Sequence, residues 1–69
     1  MNETFGKRLR ILRIEKKLSQ IQLAKELRIG KSVISLWERD ECEPTLNNLI
    51  SVARFFDVSM DYLAGIKDY

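Results

Sequence analysis

Apolar residues recur every three or four positions along almost the whole chain, and nowhere do they alternate with polar ones over the length of a strand. This period predicts an all-α fold of five helices. A first helix over 3–17 carries Phe5, Leu9 and Leu12 at i, i+4 and i+7, with Ile11 and Ile14 widening the stripe. Lys7, Arg8, Arg10, Arg13, Lys16 and Lys17 lie between them. That charged face is either a solvated surface or one turned to phosphate, and the helix alone does not separate the two.

Start and stop signals divide the rest. Ser19-Gln20-Ile21-Gln22 is a capping box, with Ser19 as N-cap and Gln22 reaching back to it, so a second helix is predicted over 20–27 with Leu23, Ala24 and Leu27 inward. Arg28-Ile29-Gly30 is a tight break, and Gly30 can cap the helix that follows over 31–38. In that third helix Val33, Ile34 and Trp37 are the core set, while Lys31, Ser32, Ser35 and Leu36 lie opposite. A polar loop, Arg39-Asp40-Glu41-Cys42-Glu43, closes at Pro44. Thr45 caps a fourth helix over 46–56 built on Leu46, Leu49, Ile50 and Ala53. Ser59 caps a short fifth helix over 60–64 that ends at Gly65. The 69 residues make one compact domain, 1–69, with no repeat or linker and a frayed tail. Two short helices joined by a break containing Gly have helix-turn-helix geometry, about residues 19–39, a corner that many small bundles share.

Composition narrows the chemistry. The chain has no His and one Cys, so it cannot supply the four or so N/S ligands of an ordinary zinc site, nor an internal disulfide. Cys42 reads as an incidental exposed thiol. The usual nucleophile and acid–base sets are missing, as are the glycine-rich phosphate loops, so no enzyme, metal or cofactor is expected. The N-terminus has no apolar stretch of signal-peptide length, and no apolar run approaches the ~20 residues that cross a bilayer, which points to a cytoplasmic protein without a membrane partner. The net charge of +2 conceals an asymmetry. Residues 1–39 hold ten basic and four acidic side chains, a balance of +6, whereas residues 40–69 hold two and six, a balance of −4. One half is suited to a polyanion and the other to something else.

Several separated motifs agree in order and spacing with one family. They are Phe5-Gly6-Lys7-Arg8-Leu9, Leu12-Arg13, Ser19-Gln20, Leu23-Ala24, Ile34-Ser35-Leu36-Trp37-Glu38, Pro44-Thr45 and Val58-Ser59-Met60-Asp61-Tyr62-Leu63. Over about residues 5–64 the chain resembles the lambda repressor/Cro helix-turn-helix family, also called the xenobiotic-response-element family. The resemblance implies a five-helix domain that binds double-stranded DNA, usually as a dimer on a palindromic operator, with the third helix in the major groove. It puts Lys31, Ser32, Ser35 and Leu36 at base-reading positions. Lys31 would donate to guanine, the serines would serve either base class, and Leu36 would touch a thymine methyl or pack at the domain edge. It assigns phosphate contact to Lys17, Ser19, Gln20, Gly30 and Arg39, with Gln20 at a helix N-terminus where the dipole favours an anion. Arg13 and Glu38 match a structural ion pair between the first and third helices. There are departures from the family pattern. Arg28 stands where Gly is frequent, implying a left-handed non-glycine residue or another turn. Gly30 replaces a capping Ser or Thr. Asp40, Glu41 and Glu43 make the loop after the reading helix acidic, so their side chains are expected to face away from DNA.

The functional expectation is a sequence-specific transcriptional regulator, and a repressor rather than an activator because repression needs only occupancy. The alternative is a protein-interaction module such as an antitoxin, using the acidic half. A homodimer is expected through Phe55, Met60, Tyr62 and Ile66, since the basic half would repel its own copy. With the chain ending at Tyr69, no inducer-binding domain and no small-molecule ligand are expected on it.

Overall fold

The computed structural model describes residues 3–69; the first two residues of the predicted domain lie outside that range. Among the described residues there are five helices and no strand: α1 (Phe5–Glu15), α2 (Gln20–Leu27), α3 (Lys31–Glu38), α4 (Leu46–Phe56) and α5 (Met60–Leu63). The bounds of α2, α3 and α4 agree with the sequence pattern. The first helix is shorter than the predicted 3–17. Thr4 is extended (φ −77°, ψ 165°) and its hydroxyl accepts from the Lys7 N–H, which starts the helix at Phe5. The fifth helix stops at Leu63, one residue early.

All five helices end in the same way. A residue with left-handed backbone follows each: Lys17 (φ 59°), Arg28 (φ 59°), Asp40 (φ 61°), Asp57 (φ 56°) and Gly65 (φ 81°). In each case the next N–H returns to a carbonyl in the last turn: Leu18 to Arg13, Ile29 to Ala24, Glu41 to Leu36, Val58 to Ala53 and Ile66 to Asp61. This is a Schellman closure, and it satisfies carbonyls that a helix end leaves open. Only the last of the five positions is glycine. The apolar residues Leu18, Ile29 and Val58 then fold back onto the core, which supplies the stabilisation that offsets the left-handed cost.

The helices enclose one core of Leu9, Leu23, Ala24, Ile34, Trp37, Val52, Ala53, Phe56 and Leu63. The helices pack as a ring: α3 lies against α1 and α2, α4 against α2, and α5 joins α4 to α1. Phe5 meets Trp37 edge-on, with ring centroids 5.5 Å apart. Ile11 and Ile14, expected to widen the buried stripe of α1, are instead exposed, because α3 and α5 reach only the Leu9 side of that helix.

Arg8 departs most from the sequence pattern. It belonged to the charged face of α1, yet it is 4% exposed. Its guanidinium lies 4.4 Å from the Tyr62 ring centre and donates to the Tyr62 and Lys67 carbonyls, with Asp68 Oδ1 at 3.4 Å. The side chain pins the C-terminal segment to α1, supplying donors to the carbonyl-rich end of α5.

Gly6 permits the approach of α1 to α3. A Cβ there would sit 1.9 Å from the Trp37 carbonyl oxygen and 2.6 Å from Asp40 Oδ1. The first obstacle is backbone, which cannot rotate away. Gly6→Ala should therefore lower the unfolding free energy by about 3 kcal/mol or more. Urea denaturation followed through the single Trp37 is the measurement, and a change within error of zero would contradict the packing described.

Candidate nucleic-acid interface

The corner between α2 and α3 is set by local chemistry. At the start of α2, Ser19 Oγ accepts from the Gln22 N–H at 3.0 Å and Gln22 Oε1 accepts from the Ser19 N–H at 2.8 Å, the capping box read from the sequence. At its end Arg28 takes the left-handed conformation (φ 59°, ψ 43°), the first of the two alternatives open for that residue. Gly30 is the N-cap of α3 but offers no side chain to it. The first turn of α3 is thus open toward solvent.

Helical spacing sorts the residues of α3. Val33 is half-buried and Ile34 and Trp37 are buried, as the apolar set should be. Lys31, Ser35 and Arg39 follow one another at four-residue intervals, with Ser32 and Leu36 beside them. Lys31 and Ser32 are exposed; Ser35 and Leu36 are half-buried toward the middle of the helix. The four expected base-reading residues therefore share one side of a helix whose other side is in the core. Of the expected phosphate residues, Lys17, Ser19, Gly30 and Arg39 are exposed. Gln20 is half-buried, and its amide nitrogen donates to Glu38 Oε1 at 3.1 Å.

Glu38 is the hub that holds this corner to α1. Arg13 Nε donates to Glu38 Oε2 at 2.6 Å and Arg13 Nη2 to Glu38 Oε1 at 2.9 Å, a two-pronged pair, while Nη1 donates to the Leu18 carbonyl at 2.8 Å. The side chains are 13% and 5% exposed. Hydrogen bonding to Glu38 raises the Arg13 pKa further above the ordinary arginine range, against the opposing effect of burial. A raised pKa in a base means the stabilisation is complete below the ordinary value and lost only as pH climbs through the raised one, so the Arg13 guanidinium gives no pH dependence near neutrality.

The acidic loop after α3 divides in two. Asp40 and Glu43 line a hollow with Thr4, Phe5 and Gly6 at the start of α1, to which neither Lys31 nor Ser35 contributes. Glu41 does not follow them. Its carboxylate accepts from Arg39 Nε at 3.2 Å and from Arg39 Nη2 at 3.4 Å, and Arg39 Nη1 donates to Ser35 Oγ at 2.8 Å. The linkage of Arg39 to Ser35 was not legible in the sequence beyond their four-residue spacing.

The expected dimer residues separate likewise. Met60 and Ile66 are exposed, at 41% and 72%. Phe55 packs edge-on against Phe56 at 4.9 Å and lies under Lys16 Nζ, and Tyr62, also expected at the dimer interface, is half-buried beneath Arg8. Among the described residues, no helix is long and apolar enough to cross a membrane.

Comparison with known proteins agrees with this geometry. A helix-turn-helix family model matches residues 9–63. The chain is 42% identical over 64 residues to the uncharacterized HTH-type transcriptional regulator YobD of Bacillus subtilis (strain 168), a match covering 93% of this chain and 57% of that protein. It is 36% identical over 61 residues to repressor protein C2 of Salmonella phage P22, covering 88% and 28%. The structure superposes on that of the P22 c2 repressor in complex with synthetic operator 9T with a TM-score of 0.87 and 34% identity, covering 94% of this chain and 98% of that one. It superposes on that of the biofilm master regulator SinR in complex with DNA with a TM-score of 0.80 and 33% identity, covering 87% and 97%. The chain spans between 29% and 57% of the length of the first three curated relatives it matches.

The Arg13–Glu38 geometry has a direct consequence for stability. Glu38→Ala leaves the Arg13 guanidinium buried without its carboxylate and should cost about 3–5 kcal/mol. Glu38→Gln, which keeps an acceptor oxygen, should cost less. Urea titrations of the two variants read this order, and equal small losses would show the pair to be incidental.

Proposed function

The chain belongs to the lambda repressor/Cro-like helix-turn-helix family, and on that premise we propose that it is a sequence-specific transcriptional regulator that represses by occupying double-stranded DNA. The observation that carries the reading is the likeness to the operator-bound P22 c2 repressor, with a TM-score of 0.87 over 94% of this chain. α3 enters the major groove, where Lys31 donates to guanine O6 and N7 and Ser32, Ser35 and Leu36 meet neighbouring base edges. Lys17, Ser19, Gln20 and Gly30 line the backbone on either side, with the N-termini of α2 and α3 directed at phosphate. The protein acts as a binding module, not a catalyst, and works in the cytoplasm where the DNA is.

The electrostatics favour this orientation. Arg8 and Arg13 are occupied inside the fold, but Lys7, Arg10, Lys16, Lys17, Lys25, Arg28, Lys31 and Arg39 remain exposed in the basic half. With about 4–6 phosphate contacts per subunit, log K should fall against log salt with a slope of about −4 to −5 per subunit. A pool of random duplexes selected with the wild type should yield one consensus. Lys31→Ala should relax one position of it by about 1–3 kcal/mol while leaving the others. Binding insensitive to salt, or to no duplex at all, would end this reading.

The operator is palindromic and is met by a homodimer joined through the α4–α5 end. Met60 and Ile66 offer exposed apolar area there, and the less basic half of the chain tolerates a second copy. Sedimentation equilibrium with and without operator should show self-association that weakens in Met60→Asp or Ile66→Asp. A monomer under both conditions would contradict it.

A further inference from the structure

We infer that Arg39 is a positioning residue, held by Glu41, that turns Ser35 into a hydrogen-bond donor toward the base it faces. The inference rests on the DNA-binding reading above and deepens it. It departs from the phosphate role expected for Arg39.

The argument is one of hydrogen-bond inventory. Every nitrogen of the Arg39 guanidinium has a protein acceptor: Nε and Nη2 meet the Glu41 carboxylate at 3.2 and 3.4 Å, and Nη1 meets Ser35 Oγ at 2.8 Å. A planar, five-donor fork with two prongs on a carboxylate has its third direction fixed. Glu41 therefore aims Nη1 at Ser35. It can do so because the Schellman closure of α3 brings the Glu41 N–H back to the Leu36 carbonyl at 2.9 Å, which places the residue beside the last turn. Asp40 and Glu43 turn to the α1 side, so Glu41 is the carboxylate that Arg39 meets.

A serine hydroxyl has one proton to give and two lone pairs to accept with. Free in solvent, it reads either base class and so discriminates weakly. Once Ser35 Oγ accepts from a cation, one lone pair is filled and the O–H is polarised, so donation becomes its stronger mode. The hydroxyl then favours an acceptor-bearing edge, such as guanine O6 or N7, adenine N7 or thymine O4, over the donor edge of cytosine N4. The arrangement also accounts for an acidic residue beside a DNA-reading helix. Glu41 carries a charge that opposes phosphate, but it sets the direction of the side chain between itself and the helix face.

The test is a selection from random duplexes with the wild type, Ser35→Ala, Arg39→Ala, Arg39→Lys and Glu41→Gln, each checked for folding by far-UV circular dichroism, followed by salt titrations on the selected site. The base pair whose preference is lost in Ser35→Ala is the one Ser35 reads, and it should carry an acceptor on that edge. Arg39→Ala should relax that same pair by about fivefold and leave the salt slope unchanged. Arg39→Lys, which can still donate to Ser35, should restore part of the preference. Glu41→Gln should relax the same pair and steepen the slope by about 0.9 as Arg39 is released to phosphate. If Arg39→Ala instead weakens all sequences equally and makes the slope shallower by about 0.9, Arg39 is a phosphate contact and the inference is overturned while DNA binding stands. It is likewise overturned if Ser35→Ala changes no position. If the wild type selects no sequence, the DNA-binding reading fails and takes the inference with it.

Discussion

The fold turns on one carboxylate. Glu38, at the last position of α3, accepts two bonds from Arg13 of α1 and one from Gln20 at the first position of α2. Arg13 in turn reaches the Leu18 carbonyl, so the connection between α1 and α2 is held by the same pair. Three helices and one loop thus share a single polar centre at the edge of an otherwise apolar core. Buried pairs of this kind add little net stability over an apolar substitute of the same shape. What they supply is direction. Apolar packing tolerates sliding and rotation, whereas a two-pronged guanidinium–carboxylate bond does not. The angle at which α3 is presented is set there.

Close approach sets the rest. Gly6 lets the N-terminal turn of α1 sit against the Trp37 carbonyl, and the Phe5–Trp37 contact follows from it. Left-handed residues follow each helix within two positions, so the connections stay short enough for a 69-residue chain to close a core. Four of those residues are not glycine, and strain of this kind persists only where the surroundings over-determine the backbone. Here the returning hydrogen bond and, in three cases, an apolar residue packed on the core do so.

Charge is spent unevenly across the two halves. The basic half looks uniform as a list of residues, but Arg8 and Arg13 face inward and tie the chain to itself. The exposed cations of that half other than Arg39 are the ones available to a polyanion. In the acidic half Asp40 and Glu43 line the hollow beside α1, while Glu41 engages Arg39 just past the end of α3. A charge pattern along a sequence gives the sign of a surface only after such internal pairs are removed, because a charge neutralised at hydrogen-bond distance contributes almost no field a Debye length away.

Helix number, type and most boundaries were legible in the residues themselves. The 3.6 period, the Ser19 capping box and the caps at Thr45 and Ser59 are local, and local chemistry acts within a few residues of its source. The outward side of α3 was legible for the same reason, since Lys31, Ser32, Ser35 and Leu36 are placed opposite Ile34 and Trp37 by helix geometry alone. The Arg13–Glu38 pair came from family resemblance, as a separation of 25 positions along the chain carries no local signal of it. Arg8 could not be told from Arg10 or Lys7 by spacing on α1. Its burial arises only once α5 and the segment after it fold across that helix. Ile11 and Ile14 show the converse, apolar residues at good helical spacing that no neighbouring helix is long enough or near enough to cover. The Ser35–Arg39–Glu41 chain likewise depends on where the backbone goes after α3 ends. Short-range pattern determined the elements and the faces they offer. Which face met a partner, and which charged side chain lost its water, depended on the distance between helices far apart in the chain, and only packing sets that.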